Sequence, residues 1–143
     1  MKFPLLIILW LGLPFGGIAG EILPMNSSYS HFDTLLLKAQ MTDKLVVLYA
    51  NAKDCKPCSN MFTDIEKDEK LTEILDAFYL THSTTLNTSF ESDYLVERYK
   101  LQNVPAVLFL DAHGNVLAKL VGERKSKEVY RFAKKIQKKY RKE

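Results

Sequence analysis

From about Ser30 onward the hydrophobic positions alternate between two periods. Phe32, Leu35, Leu36 and Ala39 share one face of a helix predicted over 32–40, with Ser30 placed to cap it. Residues 45–50 form a continuous apolar run rich in β-formers, the pattern of a strand buried on both faces. After residues 51–54 the helical period returns, with Met61, Phe62 and Ile65 inward. Pro57 falls in the first turn of that helix, where a missing N–H is tolerated. A charged break at 67–70 precedes a second short helix over 71–75, a second strand over 77–82 and a polar loop over 83–89. Phe90, Tyr94, Leu95 and Tyr99 have helical spacing. Residues 106–110 and 116–121 read as strands joined by a turn over 111–115, hence a hairpin that Gly122 ends. The last pattern is an amphipathic helix over 125–142, with Val129, Phe132, Ala133, Ile136 and Tyr140 on one face. The order is α-β-α-α-β-α-β-β-α, with no internal repeat.

A different stretch lies ahead of this pattern. Lys2 is the only charge before Glu21, and residues 3–20 are uncharged and mostly apolar. A basic start, an apolar middle and small residues at Gly17 and Ala19 fit a secretory signal over 1–19. The alternative is an uncleaved membrane anchor, against which Gly12, Pro14, Gly16 and Gly17 count. Residues 20–30 read as a linker, and 31–143 as one domain, which is what 143 residues allow. The expected location is therefore outside the cytoplasm, periplasmic in a bacterium. Asn26-Ser27-Ser28 and Asn87-Thr88-Ser89 match the glycosylation sequon, which matters only in a eukaryotic host.

Composition narrows the function classes. Hydrophobic residues at 47% and charged ones at 26% exclude a wholly disordered chain. A net charge of +3 gives no footprint for nucleic acid. Lys134, Lys135, Lys138, Lys139, Arg141 and Lys142 suit the solvated face of the last helix, near its C-terminus. His82 and His113 are expected to face solvent, and His31 lies near a helix start. The sequence contains no phosphate-binding glycine loop and no nicotinamide or flavin fingerprint, so no cofactor and no metal site are expected.

The chemistry is concentrated in Cys55-Lys56-Pro57-Cys58, which holds both cysteines of the chain. Two-residue spacing at a helix start lets the sulfurs meet, and the helix N-terminus stabilises a thiolate at Cys55. Cys55 is then the exposed nucleophile, and Cys58, one turn in, resolves the mixed disulfide. So small a ring removes little chain entropy, which makes a structural staple a poor reading. A metal half-site, such as a copper carrier completed by Met61, a His or a second chain, is the other alternative. A redox pair in an exported protein is the favoured one.

The strand at 45–50, the Cys55-Lys56-Pro57-Cys58 turn, Val104-Pro105 before the strand at 106–110, then Gly114-Asn115-Val116 and Val121-Gly122 resemble the thioredoxin superfamily. The closer likeness is to its exported bacterial thiol–disulfide oxidoreductases, and it extends from about Ser30 to Lys142. The resemblance implies an α/β fold: a central mixed four-stranded sheet flanked by helices in three layers. It implies a cis-proline at Pro105 facing the cysteines, with the Val104 backbone pairing to a bound substrate chain. It implies protein thiols and disulfides as partners, an exported or membrane-bound thiol protein as electron donor, and a monomer. Four positions depart from thioredoxin itself: Asp54 replaces Trp, Lys56 replaces Gly, Ala106 replaces Thr, and Tyr49 stands where a buried Asp accepts a proton. Pro57 resembles the reducing members. Lys56 beside Cys55 acts toward oxidation by stabilising the thiolate, and Asp54 offsets it. The expected activity is disulfide reduction, with oxidase or isomerase as the second reading.

Overall fold

The structure is a computed structural model that describes residues 30–140. The expected signal at 1–19, the linker up to residue 29, and Arg141 and Lys142 lie outside the described residues. Within them the elements are α1 (His31–Thr42), β1 (Leu45–Asn51), α2 (Lys56–Lys67), α3 (Glu69–Phe78), β2 (Tyr79–Thr85), α4 (Phe90–Tyr99), β3 (Ala106–Leu110), β4 (Val116–Val121) and α5 (Ser126–Tyr140). The order is the predicted one.

The strands form one sheet in the order β2-β1-β3-β4. β1 runs parallel to β2 and antiparallel to β3, and β4 returns antiparallel to β3. β1 and β3 are the inner strands, which is why their sequences are almost continuously apolar. Their side chains alternate between two cores. Val46, Leu48, Ala50, Ala106, Leu108 and Leu110 meet Phe32, Leu36, Leu95 and Tyr99 from α1 and α4. On the other face, Val47, Val107 and Phe109 meet Met61 and Ile65 of α2, Leu71 and Leu75 of α3, and Val129, Ala133 and Ile136 of α5. Three layers result from period-two alternation in the strands and helical stripes on both sides. Two hydroxyls tie the layers together: buried Tyr79 donates to the Ala133 carbonyl at 2.6 Å, and Tyr99 to the Gly114 carbonyl at 2.9 Å. Gly114 has φ +82°, and a Cβ there would meet the Arg98 guanidinium and the Tyr99 hydroxyl.

Several elements differ from the expected ones. β2 is Tyr79–Thr85, so Ala77 and Phe78 close α3, and Ser83 to Thr85 belong to the sheet instead of a loop. The cause is pairing: β2 lies in register along all of β1, from Leu45 opposite Tyr79 to Asn51 opposite Thr85. An outer strand can hold polar residues because one edge stays free. The charged break narrows to Asp68, which ends α2 and caps α3. Phe90 and Tyr94 are exposed, Phe90 at 96%. As the first residue of α4, Phe90 points away from the stripe formed by Ser92, Leu95 and Tyr99. Tyr140 is also exposed, at the end of α5. His113 is exposed as expected, but the side chain of His82 keeps only 9% of its accessibility, because it faces Phe32 and pairs with Glu91. Among the described residues no helix is long and apolar enough to cross a membrane.

Candidate active site

β1 ends at Asn51, and a short turn hands the chain to α2. Asp54 sits in that turn with φ 56°, a left-handed conformation that Asp accepts more readily than most residues. Cys55 is the N-cap of α2: its Sγ accepts from the Cys58 amide at 3.2 Å, and its carbonyl accepts from the Ser59 amide at 3.1 Å. The sulfur therefore stands where a capping oxygen would, against the unpaired amides of the first turn. Pro57 lies in that turn, as the sequence predicts. α1, α3, α4 and α5 each place an acidic residue in the first turn, and α2 places none. The positive end of its dipole is left for the sulfur.

Cys55 and Cys58 are joined as a disulfide, with Cα atoms 5.3 Å apart. Cys55 is half-buried, whereas Cys58 is only 2% exposed and packs one turn into the helix. Beside them opens a cleft of about 670 Å³, lined by Asn51, Asp54, Lys56 and Phe62 as well as both cysteines. Lys56 and Asp54 are exposed on its rim. Two of its walls escaped sequence reasoning. Asn51 ends β1, and its Oδ1 is buried with no hydrogen-bond partner among the described residues. Phe62, expected inward, is half-buried and meets Tyr49 edge-on, ring centroids 5.4 Å apart. No signal in the sequence marks either, because each becomes special only when β1 and α2 converge.

Tyr49 does not replace a buried carboxylate. Burial first, and then the nearby Glu66 carboxylate, hold its hydroxyl far above the usual tyrosine range, so it stays protonated. The Val104–Pro105 peptide is cis. Pro105 is buried, and its carbonyl accepts from the Gly122 amide at 2.8 Å. Val104 is half-buried against the α1/α4 core. Because Ala106 pairs with Ala50, Pro105 enters β3 at the end of the sheet where β1 delivers the cysteines. Val104 and Pro105 do not line the cleft itself.

The model of a thioredoxin-like domain matches residues 32–137. The chain belongs to the thioredoxin-like family. Its fold and its CxxC pair are those of a disulfide oxidoreductase. No curated protein matches the sequence. Solved thioredoxin folds do match. A thioredoxin from Thermus thermophilus is 23% identical with a TM-score of 0.65, covering 73% of this chain and 82% of that one. A disulphide isomerase from Xylella fastidiosa Temecula1 is 19% identical with a TM-score of 0.62, covering 89% and 98%. The oxidised C-terminal domain of Neisseria meningitidis DsbD is 19% identical with a TM-score of 0.58, covering 71% and 89%. At such identities the likeness is one of fold.

Proposed function

We propose that the protein is an exported reductase of protein disulfides. The observation that carries disulfide exchange is a sulfur at a helix N-cap, half-buried, bonded to a second sulfur that is shielded, and the reducing direction rests on the likeness of Pro57 to the reducing members of the family. In the reduced form the Cys55 thiolate attacks one sulfur of a substrate disulfide and expels the other as a thiolate. The Cys58 thiolate then attacks Cys55 Sγ, the mixed disulfide breaks, and the second substrate sulfur leaves. Two electrons pass to the substrate, whose two thiolates take up the protons that the cysteines released. A second thiol protein, exported or membrane-bound, returns the electrons by the reverse exchange. Val104 and Pro105 form the backbone edge on which an extended substrate segment docks. Lys56 and Asp54 set the thiolate population of Cys55 from opposite directions. Export rests on Lys2 and the apolar run after it.

One feature favours the second reading, oxidase or isomerase. The first turn of α2 lacks an acid and carries Lys56, which stabilises the reduced form and makes the disulfide more oxidising. Equilibration of the Cys55–Cys58 pair with a glutathione series separates the two. A reductase is expected near the thioredoxin potential of about −270 mV, and a value of about −180 to −120 mV would assign it to oxidation or isomerisation.

A further inference from the structure

We propose that His31, His82 and Glu91 form a binding site for one divalent transition-metal ion of the zinc class. Three elements bring them together on the sheet face opposite α2. His31 opens α1, His82 lies in β2, and Glu91 is the second residue of α4. One ligand atom from each lies within 4.8 Å of the others. His82 Nε2 is 3.0 Å from Glu91 Oε1. The other carboxylate oxygen accepts from the Phe32 amide at 3.0 Å, which fixes its orientation. Phe32 and His31 flank the His82 ring, centroids 5.4 Å and 5.5 Å away.

A hydrogen-bonded His82–Glu91 pair is complete without His31. The His82–Glu91 hydrogen bond needs no second imidazole beside it, whereas a cation accepts a lone pair from all three side chains. Two imidazoles and a carboxylate are a zinc donor set, with a fourth position left for water. Bonds of about 2.0–2.2 Å place tetrahedral ligand atoms about 3.3 Å apart. His82 and Glu91, 3.0 Å apart, are already close to that spacing. His31 is exposed at the first position of its helix, so rotation of its side chain closes the remaining gap. The N-termini of α1 and α4 direct partial positive charge toward the ion, and the Glu91 carboxylate offsets it. Glu91 is therefore the ligand whose charge the site needs most.

The test is calorimetric titration of the full chain with Zn²⁺, the disulfide oxidised so that no thiol competes. One ion per chain is expected, bound equally well by the Cys55→Ser/Cys58→Ser double variant. His31→Ala and Glu91→Gln should each weaken binding at least about ten-fold, and His113→Ala should leave it unchanged. His31 is exposed, so its variant keeps the fold, which circular dichroism verifies. No binding tighter than a Kd of about 100 µM, binding unchanged in both ligand variants, or binding lost only with the cysteines would overturn the proposal.

Discussion

At the scale of the residue, Cys55 does two things from one position. Its sulfur caps α2, and it is the accessible half of the disulfide. A thiolate there receives the helix dipole without a competing acid in the first turn. Cys55→Ser should abolish reduction of insulin, while Cys58→Ser should accumulate a mixed disulfide with substrate, visible on a non-reducing gel. A Cys58→Ser chain that still turns over would contradict the assigned roles. Lys56→Glu places the missing negative charge at the α2 N-terminus and should raise the Cys55 thiol pKa. Alkylation of the reduced variant at neutral pH should then be slower than that of the parent. Phe90 supplies the converse case. Spacing alone puts it on a helical face, yet it is exposed, so Phe90→Ser should change stability by less than about 0.5 kcal/mol in urea unfolding. Phe109→Ala opens a hole in the α2/α3/α5 core and should cost about 3–5 kcal/mol.

At the scale of the element, Asp68 separates α2 from α3. Its Oδ1 accepts from the Leu71 amide at 3.1 Å, and its carbonyl accepts from the Thr72 amide at 2.9 Å. Asp68→Ala should cost about 0.5–2 kcal/mol, the usual loss of a cap, read from urea midpoints. A hydrogen bond from the Ser126 side chain, and then the Leu71 amide, hold the Asp68 carboxyl below its ordinary 3.8. The unfolded chain therefore takes up a proton first as pH falls. The stabilisation is present above pH 3.8 and is lost as pH drops toward the folded value. Asp68→Asn keeps the cap and removes the proton, so its unfolding midpoint should depend less on pH below 3.8 than the parent's. A parallel pair of acid-unfolding curves would contradict this. Elements were legible where periodicity was strong: β1, β3, the β3–β4 hairpin and the α5 stripe. They were misplaced where pairing overrode composition. Ser83, Thr84 and Thr85 read as a loop, yet hydrogen bonding along β1 makes them strand. Capping also stretched α3 back to Glu69, beyond its apolar residues.

At the scale of the whole molecule, the sheet organises the chemistry. β1 carries the chain to the cysteines, and antiparallel β3 begins beside that point, so Pro105 and the disulfide share one end of the sheet. The CxxC motif was legible because its spacing is local. The cleft around it was not, since Asn51 and Phe62 come from a strand end and a helix face whose approach only the packed layers set. The His31, His82 and Glu91 cluster was invisible for the same reason: three elements supply it, and no spacing along the chain links them. The central claim is that Cys55, capped against the α2 amides, is the attacking thiolate and Cys58 the shielded partner. The direct measurement is the rate of iodoacetamide alkylation of each cysteine in the reduced full chain against pH, resolved by peptide mass spectrometry. Cys55 should react first, with an apparent pKa below the free-cysteine value of about 8.5, while Cys58 stays unmodified until Cys55 is consumed. Faster modification of Cys58, or equal rates with both thiols titrating near 8.5, would contradict the account.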